Sequence, residues 1–173
     1  MSPAHDALIV LIPRLRRYAR VLCADAASAD DLVQDTLERA CERLAQWRSG
    51  SDLRAWSFAI MHNLFVSETR RPRYRLEVAA DAAPGDATFD PGASWAAAHD
   101  LERALRALPL AQRQALLLVA FEDMSYDQVA TVMGVPLGTV MSRLSRARSR
   151  LRQLLDPDAG GAPRAAPRLR LLK

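Results

Sequence analysis

Cysteine and histidine are scarce in this chain, and their scarcity limits the chemistry it can support. The 173 residues include two cysteines and three histidines. Two thiols are too few for a disulfide framework, and Cys23 and Cys41 both fall in stretches with helical apolar spacing. We therefore expect both to be small buried side chains rather than a redox pair. The histidines show no metal-ligand spacing with the cysteines, so the sequence predicts neither a metal site nor a cofactor.

Long apolar runs are also missing. No segment approaches the roughly 20 apolar residues that a membrane-spanning helix needs. The apolar segment Ala7–Ile12 is short, has no lysine or arginine before it, and is followed by Pro13. This arrangement is unlike a secretory signal peptide. The sequence therefore predicts a cytoplasmic protein with no membrane insertion.

Familiar catalytic motifs and strand patterns are absent as well. The sequence contains no P-loop, no nucleophile elbow and no HExxH segment, which does not favour an enzyme. Apolar residues at helical spacing run through most of the chain, and no alternating pattern is sustained. The sequence predicts an all-α protein of two small helical domains joined by a flexible linker.

The most informative positive feature is a helix-turn-helix pattern at residues 125–152, SYDQVATVMGVPLGTVMSRLSRARSRLR. Ser125 stands where an N-cap belongs, and Gln128, three residues on, completes a capping box. Gly134 can adopt the left-handed conformation that ends a helix. Pro136 then breaks the chain before a longer second helix, from about 137 to 154. This order is typical of a DNA-binding motif whose second helix enters the major groove.

Positive charge is concentrated in that second helix. The whole chain has a net charge of only +4, but residues 137–152 contain several arginines and no acidic residue. The positions expected to face the core are Val140, Leu144, Ala147, Leu151 and Leu154. Arginine can hold phosphate as a fork or bind guanine through two hydrogen bonds. An ordinary solvated helix with a basic face is the alternative, but the cap, turn and one-signed charge together favour DNA binding.

A first helical block extends from about residue 4 to residue 71. Apolar spacing predicts a helix around residues 8–22, a second with its N-cap at Ser28, and a third that starts near Leu53 and stops before Pro72. The aromatic residues of the third helix have the spacing of core residues, so we expect them in the core. They are Trp56, Phe58 and Phe65.

The remaining segments complete the domain organisation. Residues 73–94 are rich in Ala, Asp, Gly and Pro and predict a linker, which would let two compact blocks lie far apart on an extended partner. A second block spans 95–155, with helices at 95–108 and 109–122 before the helix-turn-helix. The tail 156–173, rich in proline, alanine and arginine, is expected to be disordered.

Three segments resemble the extracytoplasmic-function (ECF) sigma factors of bacterial RNA polymerase. Residues 108–151 closely resemble their C-terminal DNA-binding domain. Residues 29–44, ADDLVQDTLERACERL, resemble the part that docks on RNA polymerase, and residues 52–71 the part that recognises and opens the promoter. The resemblance covers nearly the whole chain except the tail, with the motifs in the family order. It implies a sigma-2-type domain at 1–72 and a sigma-4-type domain at 95–155.

The resemblance also implies a role for particular side chains. Docking on the RNA polymerase core is implied for Asp31, Gln34, Asp35 and Glu38. Contact with the promoter −10 element is implied for Ser49, Gly50, Asn63, Arg70 and Arg71. Contact with the −35 element is implied for Thr139, Ser142, Arg143 and Arg146, with Arg148 on the DNA backbone or solvated. In this scheme the amide of Asn63 helps to form a pocket for a flipped base, and charged pairs at the docking face speed association. A merely solvated acidic face is the alternative at the docking site.

The family resemblance further implies an anti-sigma factor as a regulatory partner. The sequence departs from the family at Met141, where many relatives carry lysine or arginine, and this departure predicts a different or weaker −35 preference. Two other functions stay open. One is a stand-alone helix-turn-helix regulator that binds a palindrome as a dimer, and the other is a decoy that sequesters an anti-sigma factor.

Overall fold

The computed structural model describes residues 3–23, 25–48, 50–69 and 95–156. These ranges contain helices and connecting turns and no strand, which confirms the all-α prediction. The helices are α1 (Pro3–Leu22), α2 (Ala26–Arg43), α3 (Leu53–Thr69), α4 (Trp95–Arg106), α5 (Leu110–Ala120), α6 (Tyr126–Met133) and α7 (Leu137–Leu155), with a 3-10 turn at Leu44–Gln46 after α2. The predicted linker 73–94 and the tail beyond Asp156 lie outside the described residues, as do Ser49, Arg70 and Arg71.

The first three helices pack around one another through the apolar faces that the sequence predicts. On α1 the buried residues are Leu8, Leu11, Leu15, Tyr18, Ala19 and Leu22. The ring of Tyr18 meets that of Phe58 edge to face, with centroids 5.2 Å apart. Phe58 and Phe65 are buried and Trp56 is half-buried against the same core, as expected for aromatic residues at helical spacing.

The N-cap of α2 differs from the prediction. Its N-cap is Asp25, whose carboxylate accepts hydrogen bonds from the Ser28 backbone N at 2.8 Å and from the Ser28 hydroxyl at 2.7 Å. The prediction of Ser28 as the N-cap is therefore wrong by three residues. Both residue types cap helices well, so local preference alone did not decide between them. The backbone hydrogen bonds lower the pKa of the Asp25 carboxyl, which keeps it ionised at the positive end of the helix dipole.

The two cysteines have different environments. Cys23 is buried, and burial raises the pKa of its thiol to about 12. Cys41 is exposed, so the prediction that both are buried is wrong for this residue. The buried face of α2 passes through Thr36 and Ala40. Cys41 follows Ala40 directly and is rotated by about 100° from it, which places it outside that face.

The C-terminal helices form the predicted helix-turn-helix. Ser125 accepts from the backbone N of Gln128 at 3.2 Å, and the Gln128 side chain accepts from the Ser125 backbone N at 2.8 Å. Gly134 ends α6 in the left-handed region, with φ 62° and ψ 38°. Val140, Leu144 and Ala147 bury the inner face of α7, against α4, α5 and α6. Helix α4 ends at Arg106, two residues before the predicted end.

The two helical blocks are in contact. Helix α3 packs against α6, and α1 packs against α4 and α5. The buried apolar residues of both blocks form one continuous cluster. In the part of the chain that the structure describes, no helix is sufficiently long and apolar to cross a bilayer.

Candidate nucleic-acid interface

Four of the five residues expected at the −35 element share one side of α7. At about 100° per residue, Thr139, Ser142, Arg143 and Arg146 fall within roughly a third of the helix circumference. Ser142 and Arg146 are exposed, whereas Thr139 and Arg143 are half-buried. The buried face of Val140, Leu144 and Ala147 lies beside this side and holds it in a fixed orientation. The structure therefore brings these four side chains together on a basic surface that a DNA groove can accommodate.

Arg148 is separated from the other four. Its guanidinium lies on the opposite flank of α7, where Nη1 and Nη2 each lie 3.3 Å from the hydroxyl of Tyr126. Met141, one heptad earlier, lies on the same flank and is 53% exposed. Met141, where the sequence is expected to depart from the family pattern, therefore lies on this flank and not on the surface that carries Arg143 and Arg146.

The loop expected to meet the −10 element is shaped by glycine and by a helix cap. Gly50 has φ 95°, a conformation that side chains with a Cβ rarely adopt. The Ser51 hydroxyl donates to the carbonyl of Arg48 at 2.8 Å. Asp52 caps α3 by accepting from the backbone N of Arg54 at 2.9 Å and of Ala55 at 3.2 Å. The loop also borders an open cavity of about 490 Å³, lined by Pro3, Ala4, Ala7, Trp47, Gly50, Ser51 and Leu53.

Asn63 is exposed on α3, but it does not line that cavity. It lies ten residues beyond Leu53, which corresponds to about 15 Å along the helix axis. The structure thus separates two residues expected at the −10 element, with Gly50 in the loop before α3 and Asn63 within the helix. Beside Asn63, the side chain of His62 is buried. Burial lowers the pKa of His62, and the positive charge of Arg143 lowers it further.

The residues expected to meet the polymerase core form a single exposed face on α2. Asp31, Gln34, Asp35 and Glu38 are all exposed, and the Gln34 amide donates to Glu38 Oε1 at 2.9 Å. Asp30 points away from this face towards α1, where its carboxylate pairs with Arg20 at 3.0 Å. The cleft beside the face is lined by Asp35, Glu38, Arg39, Glu42 and Leu64. The acidic face is therefore available to a basic partner surface.

Sequence reasoning missed a buried polar cluster between the two blocks. Glu122, in the turn after α5, is fully buried, and its carboxylate lies 2.8 Å from Arg14 Nε and 3.4 Å from Arg17 Nη2. Arg54 Nη1 donates to the Glu122 backbone carbonyl at 2.6 Å. The phenol of Tyr18 is buried nearby; burial raises its pKa, and the charge of Glu122 raises it further. The only sequence signal was a carboxylate directly after the apolar run of α5.

Comparison with known proteins identifies both blocks. The family described as the Sigma2 domain of PhyR matches residues 9–62, and the family described as Sigma-70, region 4 matches residues 98–151. The ECF RNA polymerase sigma factor EcfG of Rhodopseudomonas palustris strain TIE-1 is 40% identical over 158 residues, covering 89% of this chain and 86% of the relative. The chain belongs to the ECF family of RNA polymerase sigma factors.

Other members of the family agree with this assignment. The ECF sigma factor SigC of Mycobacterium tuberculosis is 33% identical over 138 residues, covering 78% of this chain and 74% of the relative. The sigma factor RpoE from Bartonella quintana, solved in complex with the anti-sigma factor NepR, superposes with a TM-score of 0.75 at 34% identity. That match covers 88% of this ECF sigma factor and 96% of RpoE. CnrH, solved with the cytosolic domain of CnrY, gives a TM-score of 0.64 at 28% identity, over 90% and 88% of the two chains.

Proposed function

We propose that this ECF sigma factor docks on the RNA polymerase core through the acidic face of α2 and selects promoters through α3 and α7. The observation that carries the proposal is a pair of exposed surfaces of opposite charge on different helices. Asp31, Asp35 and Glu38 make the α2 face negative, and the exposed Arg146 with the half-buried Arg143 makes the α7 face positive. Two unlike surfaces suit a protein that binds a protein on one side and DNA on the other.

Recognition of the −35 element is assigned to α7. Arg143 and Arg146 are one helical turn apart, so both can enter the same stretch of major groove and bind guanine edges or phosphates through paired hydrogen bonds. Thr139 and Ser142 are small enough to allow close approach, and their hydroxyls can donate or accept. Arg148 is assigned to the DNA backbone, because its flank lies away from the groove-facing side.

Recognition and opening at the −10 element are assigned to α3 and the loop before it. The exposed amide of Asn63 can both donate to and accept from a base edge, and unpaired bases need such contacts to offset lost stacking. Gly50 and Ser51, in the loop before α3, are assigned to the DNA strand that Asn63 contacts. Ser49, Arg70 and Arg71 lie outside the described residues, and their assignments rest on the family pattern alone.

This sigma factor is proposed to contribute binding energy and no bond-making chemistry. The polymerase forms the phosphodiester bonds, and the sigma factor selects and opens the DNA on which they form. Its place of action is accordingly the cytoplasm, and no cofactor is assigned. The domain limits proposed are 1–72 and 95–155, with 73–94 as the linker and 156–173 as a tail of unassigned role.

Regulation by an anti-sigma factor is proposed from the same set of relatives. RpoE of Bartonella quintana was solved with the anti-sigma factor NepR, and CnrH with the cytosolic domain of CnrY. A partner of this kind would block transcription most directly by covering the acidic face of α2, because that face is exposed and the polymerase needs it.

Run-off transcription tests the proposal. The purified chain is added to bacterial core RNA polymerase on a library of promoter fragments from the source genome, and the transcripts are sequenced. New start sites that require the chain, with shared upstream elements, are the expected result. A stand-alone regulator would instead bind duplex DNA tightly without polymerase. A decoy would bind an anti-sigma factor and yield no transcripts. The match to the PhyR sigma-2 domain is the reason to measure binding of an anti-sigma factor as well.

A further inference from the structure

Glu122 is a buried carboxylate whose charged partners come from the other helical block. It lies between α5 and α6, and its side chain is fully buried. Its Oε2 is 2.8 Å from Nε of Arg14, and its Oε1 is 3.4 Å from Nη2 of Arg17, both on α1. Its backbone carbonyl accepts a 2.6 Å hydrogen bond from Nη1 of Arg54 on α3. One acidic residue of the C-terminal block is thus held by three guanidinium groups of the N-terminal block.

The burial of Glu122 makes this contact depend on its arginine partners. A carboxylate without a partner is disfavoured in a buried site, so Glu122 stays buried only while the arginines face it. Arg17 reinforces the contact by lying over the ring of Phe121, 5.7 Å from its centroid, and by donating to the Phe121 carbonyl at 3.2 Å. When the blocks separate, the carboxylate of Glu122 and the guanidinium groups of Arg14 and Arg17 return to water. Separation therefore restores the hydration that these charges lose in the closed form, which offsets part of the lost attraction between them.

A second set of contacts joins the two DNA-binding elements directly. Helix α3, which carries Asn63, packs against α6, the first helix of the helix-turn-helix. Gln128 on α6 donates to Asp52 at the start of α3, at 2.7 Å. Arg143 on the −35 surface lies close enough to His62 to lower its pKa. The surfaces assigned to the two promoter elements are therefore side by side.

This arrangement is too compact for a promoter. Packed helices have axes about 8–10 Å apart. The −35 and −10 elements are about 25 base pairs apart, or about 85 Å at 3.4 Å per pair. The backbone between Thr69 and Trp95 can reach about 85 Å when fully extended. The chain can therefore span the two elements only after α3 and α6 have separated.

We propose that Glu122, Arg14, Arg17 and Arg54 form a latch that holds this sigma factor in a closed state, unable to engage both promoter elements until the latch opens. The proposal rests on the assignment of α3 and α7 to the two elements. The latch acts together with the packing of α3 on α6 and the apolar core that the two blocks share. Substitutions on the α1 surface can weaken the latch without removing core side chains.

The distance between the two blocks in the full-length chain tests the latch. Cys41 is exposed on α2, Gln153 is exposed on α7, and Cys23 is buried. A Gln153→Cys variant therefore offers two accessible thiols, one in each block, for a fluorescent donor and acceptor. Single-molecule energy transfer on the chain alone then reports the populations of closed and open forms.

The decisive variant is Arg14→Ala combined with Arg17→Ala. Both side chains are partly exposed, at 35% and 48%, so their truncation leaves the core intact. We expect a dominant high-transfer population with a small low-transfer fraction in the parent, and an increase of about tenfold in the ratio of open to closed forms in the double variant. Arg16→Ala is the matched control, because Arg16 lies on the same helix and pairs with Asp30 inside its own block. It should match the parent.

Glu122→Gln provides a second measurement with nearly the same side-chain volume. It removes the charge and leaves the backbone carbonyl that accepts from Arg54, so we expect partial opening with unchanged helix content by circular dichroism. An open parent, or transfer unaltered in both the double variant and Glu122→Gln, would overturn the latch. Because these measurements use neither polymerase nor DNA, their outcome is independent of run-off transcription. A closed parent that opens on loss of the latch, yet yields no transcripts, would reject the proposed function and leave the latch standing.

Discussion

The side-chain amide of Gln128 donates a 2.7 Å hydrogen bond to Oδ2 of Asp52. Each of these residues also stabilises the start of its own helix. Asp52 caps α3 through its other oxygen, and Gln128 completes the capping box of α6 with Ser125. The N-termini of the two helices that flank the closed interface are therefore joined through their caps. A substitution at one cap therefore also removes a hydrogen bond of the other.

The first prediction follows from this shared role. Asp52→Ala and Gln128→Ala should each lower the free energy of unfolding by about 1 kcal/mol, the usual cost of a lost cap. The double variant should lose less than the sum, by about 0.5–1 kcal/mol, because the second substitution has no inter-helix hydrogen bond left to remove. Urea denaturation of the parent, the two single variants and the double variant gives the double-mutant cycle. Strict additivity would show that the hydrogen bond contributes nothing in solution.

The two glycines near the turn give a matched pair for the second prediction. Gly134 has φ 62°, whereas Gly138 lies within α7, and a Cβ at either position would meet no heavy atom within 4 Å. Gly134→Ala should destabilise by about 1 kcal/mol, because alanine is strained in the left-handed region. Gly138→Ala should be neutral or stabilising by up to about 1 kcal/mol, because it restricts the unfolded chain. Thermal unfolding compares the two, and equal shifts would show that backbone conformation does not matter here.

Local chemistry made the helix-turn-helix predictable. The cap at Ser125, the turn at Gly134 and the buried spacing from Val140 to Ala147 each depend on residues no more than a few positions apart, and the structure confirms all three. The same reasoning gave the buried face of α1 and the start of α3 at Leu53. It failed at Ser28, because Asp25 offered an equally good cap one turn earlier.

Contacts between distant parts of the chain were not predictable. Glu122 and Arg14 are more than a hundred residues apart, and no local pattern indicates that they meet. The family pattern placed Arg148 on the DNA backbone or in solvent, but no local pattern indicated that its guanidinium would meet the hydroxyl of Tyr126. Helical spacing gives the relative directions of side chains on one helix, but the packing of the second helix decides which direction is free.

The third prediction separates the two flanks of α7. Arg146→Ala should weaken promoter binding of the reconstituted polymerase by about fivefold to a hundredfold, since a paired contact to guanine is worth about 1–3 kcal/mol. Arg148→Ala, the matched control, should have a smaller effect, because its guanidinium faces Tyr126. Filter binding or fluorescence anisotropy on a promoter found by run-off transcription provides the measurement. Equal losses would place the −35 contact on both flanks, and loss of core binding by Arg146→Ala would contradict its assigned role.

The fourth prediction tests the acidic face of α2. Asp35→Arg reverses a charge at its exposed centre, so association with the core polymerase should slow by about tenfold, mainly through the association rate. Binding of DNA by α7 should be unaffected. Asp6→Arg is the control, because it makes the same charge change at an exposed position on α1. Surface plasmon resonance at low and moderate salt gives the rates. If Asp35→Arg competes normally for core polymerase, docking occurs on another surface.

The last prediction concerns His62, a buried residue of α3 that lies near Arg143 of the helix-turn-helix. Burial lowers its pKa below the ordinary value of about 6.5, and the charge of Arg143 acts in the same direction. In the unfolded chain His62 binds a proton as the pH falls through about 6.5, whereas in the folded chain it stays neutral until a lower pH. The contribution of His62 to stability is therefore fully present above about pH 7 and decreases as the pH falls below about 6.5. Urea denaturation between about pH 7.5 and about 5.5, where ordinary carboxyl groups remain ionised, should show this decrease in the parent and a smaller one in His62→Gln. Identical slopes in the two proteins would show that the imidazole titrates normally and that the contact between α3 and the −35 surface is open in solution.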